Sequence, residues 1–286
     1  MKLNVEKNIL LKSLSHVQGI VEKRNTLPVL SNILLEAKEN SLILSATDMD
    51  ISITDKLNCN ILEEGSTTVS AQTLYDIIRK LPDSSEIEII SNDGKLISLR
   101  AGKSKFSLGC LPKEDFPIIE IGDLENELNI DSQIFLKLIN KTRFAVSNEE
   151  TRYFLNGIYL HYKNYNNTNY LSIVATDGHR LAKFDYEFKD QLSEIPGVII
   201  PKKTVNELYK LLVDFEGSIK INLDSNKIVF FIGELVLISK LIDGNFPDYK
   251  RVIPEDNNNI LKINRQAFSL AVDRVSTIAS DKSPII

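Results

Sequence analysis

The chain is poor in the residues and runs that assign a protein to a class at sight. Its two cysteines, Cys59 and Cys110, stand far apart and form no C-x-x-C pair, which argues against a disulfide framework or a cysteine zinc site. Both read as small buried or half-buried residues. Three histidines, His16, His161 and His179, are too few and too scattered for a histidine metal cluster. His16 and His161 read as ordinary surface or core residues. No apolar run approaches the ~18 residues of a membrane-spanning helix. The start, Met1-Lys2-Leu3-Asn4-Val5-Glu6, lacks the apolar segment of a signal peptide. A cytoplasmic protein without membrane contact is therefore expected. Walker A, H-E-x-x-H and G-x-S-x-G signatures are all missing. Asp177 and His179 could be drawn as an acid–base pair, but with no nucleophile motif beside them the expectation is a non-enzyme with no cofactor and no metal.

What is present is a repeat. At 286 residues the chain suggests two or more domains, and 43% hydrophobic residues suffice for sizeable cores. Leu3-Asn4-Val5-Glu6, Leu128-Asn129-Ile130-Asp131 and Leu261-Lys262-Ile263-Asn264 open three similar segments. Ala46-Thr47-Asp48 returns as Ala175-Thr176-Asp177, and Asp115-Phe116-Pro117 as Asn245-Phe246-Pro247, at nearly the same spacing. Such in-phase matches mark repeated domains. They divide the chain into 1–122, 128–253 and an incomplete third copy at 260–286.

Within copy one, Leu10, Leu14, Val17 and Val21 lie at helical spacing along 6–23, and Leu74, Ile77, Ile78 and Leu81 along a second, shorter helix. Strands are predicted at 30–37, 41–46 and 50–57, then near 86–91, 95–100 and 104–110. Asn92-Asp93-Gly94-Lys95 signals a hairpin. Copy two repeats the plan, with helices near 131–145 (Asp131 as N-cap) and 202–213. Each copy is thus two cycles of one helix followed by antiparallel strands, an α+β architecture. Copy three holds an opening strand and one helix carrying Phe268, Val272, Val275 and Ala279, with no sheet to cover that stripe.

The net charge of −5 argues against a nucleic-acid binder, but its distribution points the other way. The five helical segments are each net positive, and strands, turns and linkers carry a larger negative excess. Helices gathered on one surface would present a basic face for salt-sensitive, sequence-independent phosphate contacts. The alternative is that Lys and Arg simply decorate exposed helix faces as good helix formers. Copy one also reads Asp48-Met49-Asp50-Ile51 where copy two reads Asp177-Gly178-His179-Arg180. Either copy two alone carries a site there or the two turns diverged by chance.

Four motifs decide between these readings. Thr26-Leu27-Pro28-Val29-Leu30-Ser31-Asn32, Arg152-Tyr153-Phe154-Leu155-Asn156-Gly157, Ala175-Thr176-Asp177-Gly178-His179-Arg180-Leu181-Ala182 and Asp243-Gly244-Asn245-Phe246-Pro247-Asp248-Tyr249 together resemble the β subunit of bacterial DNA polymerase III, the β sliding clamp family. The match runs in order from Met1 to about Lys282. The resemblance implies a DNA-clamp fold, repeated domains of two helices packed on antiparallel sheets. It implies a ring of two head-to-tail chains, six domains in all, whose twelve helices line the hole. Twelve helices about 10 Å across span a circumference of roughly 120 Å and leave a bore of roughly 28 Å, wide enough for a hydrated duplex.

The implied function is a replication processivity factor that encircles duplex DNA and tethers its partners. Those are the polymerase III catalytic subunit, the clamp loader and other proteins carrying clamp-binding motifs. Arg24, Arg152, Tyr153 and Phe154 match positions that touch DNA; Phe154 stands where a second Tyr is common and cannot supply that hydroxyl. Leu155, Thr176, Gly178, His179, Arg180, Leu181, Pro247, Arg251 and Val252 match the pocket for partner peptides. Thr277 and Ile278 match the dimer contact, whose completing strands would follow in copy three. From that shortfall a monomer or a weak, irregular oligomer is expected of this chain alone. The alternative function is a clamp fragment that cannot close a ring and docks peptides weakly.

Overall fold

The computed structural model describes residues 1–21, 27–92, 94–188, 195–254 and 257–278. It divides into two compact units, Met1–Phe246 and Pro247–Ile286.

Copy one runs β1 (Lys2–Glu6), α1 (Lys7–Val17), β2 (Asn32–Lys38), β3 (Ser41–Thr47), β4 (Ile51–Asn58), β5 (Asn60–Glu63), β6 (Gly65–Ser70), α2 (Ala71–Lys80), β7 (Glu86–Ile90), β8 (Leu96–Ala101) and β9 (Ser104–Gly109). Copy two runs β10 (Asn126–Asp131), α3 (Ser132–Thr142), β11 (Gly157–Tyr165), β12 (Thr168–Thr176), β13 (Leu181–Phe188), β14 (Val198–Pro201), α4 (Lys202–Val213), β15 (Ser218–Leu223), β16 (Lys227–Ile232) and β17 (Leu235–Lys240). Both copies therefore follow the α+β plan of two helix-then-strands cycles.

Local chemistry explains the helix limits. The Asp131 carboxylate accepts from the backbone N–H groups of Gln133 and Ile134 at 3.0 and 3.1 Å, the N-cap expected of it. Ser70 caps α2 by accepting from Thr73 N. In α1 the expected stripe overshoots: the helix stops at Val17, and Val21 lies outside it. Gln18 and Gly19 turn the chain, and Ile20, fully buried, takes the core position instead. Glycine's conformational entropy disfavours continuing the helix there. The strand expected from residue 30 begins only at Asn32, because Pro28–Ser31 form a 3-10 turn. In the hairpin signal Asn92-Asp93-Gly94, Asp93 lies outside the described residues; β7 and β8 on either side do pair antiparallel.

Three sheets result. One has the order β5-β1-β7-β8-β9 and another β13-β12-β11-β14. The third, β10-β15-β16-β17-β4-β3-β2-β6, crosses from copy two into copy one. Its crossing is the antiparallel pair β4–β17, with Ile53 opposite Leu237 and Ile51 opposite Ser239. Ile53 and Leu237 are both fully buried, so the seam between the repeats is built as core. The helices pack in pairs, α1 on α2 and α3 on α4. The Lys203 ammonium at the start of α4 donates to the Ile20 carbonyl just beyond α1 at 3.3 Å. The four helices thus follow one another as α2, α1, α4, α3. In copy two, Phe135 of α3 meets Phe230 of β16 with ring centroids 5.9 Å apart.

The second unit holds a 3-10 turn, Tyr249–Val252, and a helix α5, Arg265–Ser276, capped by the Asn264 side chain accepting from Ala267 N at 3.0 Å. The opening strand expected at Leu261–Asn264 is not formed. In copies one and two that strand is held by later strands of the same copy, β1 by β5 and β7, and β10 by β15. Leu261–Asn264 has no such partner among the described residues. On α5, Phe268 and Val275 are about half exposed, as the stripe without a covering sheet leads one to expect; Ala279 lies outside the described residues.

Candidate functional site

The turn between β12 and β13 carries most of the expected pocket. Thr176 Oγ1 donates to the Arg180 carbonyl at 2.7 Å and accepts from Gly178 N at 3.1 Å. One Asp177 oxygen accepts from the backbone of His179 and Arg180, both at 3.0 Å; the other accepts from Arg180 Nε at 2.9 Å. The Arg180 amide, opposed by partial burial and joined by the His179 amide and the Arg180 guanidinium, holds the Asp177 carboxyl down at about 2. An aspartate fully engaged as a turn clamp is no general base, so the acid–base pairing with His179 has no geometric support. Gly178 sits at φ +89°, and a Cβ there would lie 2.6 Å from Arg152 Nη1. Glycine takes this left-handed backbone without strain, and a side chain there would have to displace the guanidinium laid against it.

That contact joins two groups the sequence treats separately. Arg152, expected at DNA, rests on Gly178 of the peptide pocket and pairs with Glu149 at 2.7 Å. Arg152, Tyr153, Phe154 and Leu155 share a kinked 3-10 segment, Glu150–Leu155. Leu155 is buried, while Tyr153 is exposed and meets the Phe154 ring edge-on at 5.9 Å. The loop at Gly244 closes over this pair, with its Cβ position 3.2 Å from Phe154 Cβ. Beyond it, Phe246 stacks flat on Tyr159 at 4.9 Å. Arg180 carries its charge outward over the exposed Phe144 ring, 5.8 Å from its centroid. His179 is exposed and Leu181 half-buried at the head of β13.

Pro247, Arg251 and Val252 belong to the second unit. There Arg251 Nε bonds Asp248 Oδ2 at 2.9 Å, and Val252 is largely exposed. Thr277 caps the end of α5 and Ile278 is almost fully exposed. Arg24 lies outside the described residues. Sequence reasoning missed Glu149, Phe144 and Gly244 as neighbours of these residues. Glu149 left a signal in its three-residue spacing to Arg152, and Gly244 in its place within the motif that opens at Asp243. His16, read as ordinary, bonds Asp55 through Nδ1 at 2.8 Å. Cys59 and Cys110 are half-buried and in no disulfide.

The helix row offers a second surface. Lys12, Arg79, Lys80, Lys137, Lys141 and Lys210 are all exposed on α1 to α4. Between α1 and α4 lies a cavity of about 620 Å³ lined by both helices and by the β4 and β17 ends.

Comparison with known proteins settles the family. Residues 1–120 match the family described as DNA polymerase III beta subunit, N-terminal domain, and residues 129–248 its central domain. The chain belongs to the β sliding clamp family. It is 45% identical to the beta sliding clamp of Caulobacter vibrioides over 99% of its own length and 76% of that protein's. To the Rickettsia felis beta sliding clamp it is 39% identical, covering 74% of that protein. The crystal structure of the Bartonella birtlesii sliding clamp bound to griselimycin superposes with a TM-score of 0.94 at 46% identity, over 99% of this chain and 76% of that one. These likenesses favour a DNA polymerase III processivity clamp over a fragment that only docks peptides. Among the described residues no helix is long and apolar enough to cross a membrane.

Proposed function

We propose that the chain works as a replication processivity factor that encircles duplex DNA without sequence preference and tethers the polymerase III catalytic subunit. The observation that carries this reading is the row α2, α1, α4, α3 with its exposed lysines and arginines. It is a surface suited to weak phosphate contacts that do not arrest sliding. On this reading 1–122 and 128–253 are clamp domains and 260–286 begins a third. The chain catalyses nothing itself and acts in the cytoplasm with a clamp loader and other motif-bearing proteins.

Arg24, Arg152, Tyr153 and Phe154 border the DNA. Leu155, Thr176, Gly178, His179, Arg180, Leu181, Pro247, Arg251 and Val252 take the partner peptide. Thr277 and Ile278 serve a chain-to-chain contact. The test is to load the chain onto nicked circular DNA with its loader and ATP, then linearise the circle. Retention on circles and loss from linear ends is expected; equal loss from both would overturn the reading.

A further inference from the structure

The arginines of the first unit do not all hold their charge in the same way. Arg79 bonds Asp76, Arg100 bonds Glu88, Arg152 bonds Glu149 and Arg180 bonds Asp177. Arg143 bonds no carboxylate among the described residues. It ends α3, and its guanidinium carbon lies 3.6 Å from the centroid of the Tyr209 ring on α4. At that distance only a flat stack fits, because a tilted guanidinium would drive a nitrogen into the ring. Attraction between the cation and the ring face holds the group in place. Its N–H edge has no protein acceptor among the described residues.

The surroundings suit an anion. On α4, Lys203, Asn206 and Lys210 fall at three- and four-residue spacing and so share one face, with Tyr209 beside them. Together with Arg143 and Glu207 they line a groove of about 410 Å³. The carboxylate among them, Glu207, is buried and takes the Lys210 ammonium at 2.7 Å. Lys203 is engaged by Asp48 and the Ile20 carbonyl. The Asn206 side chain bonds nothing among the described residues. The Arg143 fork and the Asn206 amide are thus the uncommitted donors of the groove. A planar fork of N–H groups matches the oxygens of a phosphate two at a time.

We propose that Arg143, stacked on Tyr209, is a preformed site for one backbone phosphate of duplex DNA, with Tyr209 as its positioning residue. The ligand rests on the clamp function proposed above; the site adds where the backbone is gripped. The lysines of the helix row are flexible point charges that must be ordered at each contact. The stacked fork is ordered beforehand and loses less freedom on binding. The row therefore works unevenly as the duplex passes. Its lysines supply diffuse attraction, and Arg143 makes one directed contact that sets the backbone against the ends of α3 and α4.

The test is binding of a short fluorescent duplex to the full chain, read by anisotropy across a salt series. Arg143→Gln should weaken binding about fivefold at low salt and flatten the logarithmic salt slope by about one unit, the share of one phosphate contact. Arg143→Lys keeps the charge but loses the fork, and should stay about threefold weaker than wild type. Tyr209→Leu should cost about threefold, whereas Tyr209→Phe keeps the ring and should bind as wild type does. A tyrosine that only staples α3 to α4 would lower the melting temperature and leave DNA affinity alone. Full rescue by Arg143→Lys, an unchanged slope in Arg143→Gln, or indifference of affinity to Tyr209→Leu overturns the proposal. Displacement of the duplex by inorganic phosphate at matched ionic strength would mark a free-anion site and overturn it too. If the variants bind like wild type while the chain is held on circular DNA, this inference fails and the clamp function stands. The expected pattern on short duplex, in a chain never retained on circles, would do the reverse.

Discussion

Thr47 and Thr176 do the same work in their two turns, each hydroxyl donating to a carbonyl four residues on, at 2.9 and 2.7 Å. Asp48 and Asp177 likewise each accept two backbone N–H groups with one oxygen. The second oxygen separates them. That of Asp48 takes the Lys203 ammonium at 2.5 Å, from α4 across the seam; that of Asp177 takes Arg180 from its own turn. The Asp48 side chain is covered, and the Arg180 guanidinium is mostly in water. The same skeleton therefore serves as an internal fastening where a neighbour covers it and as a presentation platform where none does.

The comparison can be broken most forcefully at Lys203. Lys203→Met leaves the covered Asp48 carboxylate without its cation and should cost about 2–3 kcal/mol by chemical denaturation. No change would mean that the fastening is ornamental. Asp177→Ala should cost about 1–2 kcal/mol at neutral pH, from lost turn hydrogen bonds. Because the folded carboxyl is held below its ordinary value, its contribution is present above the usual carboxylate range. It fades as pH falls toward about 2, so wild type and variant should converge in acid. Arg180→Ala should move stability by less than about 0.5 kcal/mol. It should weaken a clamp-motif peptide about tenfold, roughly 1.4 kcal/mol; unchanged binding by calorimetry would remove this pocket from the function. The smallest effect is expected at Met49, held at φ +78° where copy two has Gly178. Met49→Gly should gain up to about 1 kcal/mol from relief of the left-handed conformation. A loss would show that Met49 makes contacts worth more than its strain.

The helices at 71–80 and 202–213 were legible because their apolar spacing is decided locally, and the Asp131 cap because capping chemistry is local too. The Thr-Asp turns could be recognised as repeats, but not as fastening and platform, since that depends on Lys203 arriving from 155 positions away. The β4–β17 seam was invisible for the same reason: an alternating pattern reports which face is buried and nothing about which edge is paired. Leu261–Asn264 failed in the opposite sense, carrying a strand's pattern with no strand partner among the described residues. Of the site, residue types were readable from the family motifs, whereas Arg152 lying on Gly178 required the fold.

The sheet that crosses the seam has a consequence for synthesis. Ile53 of β4 must wait for Leu237, about 180 residues later, before its outer edge is paired. At ribosomal speeds that is roughly ten to forty seconds. During that interval the first repeat emerges with a naked apolar strand, so the nascent chain is most vulnerable to chaperone capture, or to pairing with its polysome neighbours, well before its last residue is added.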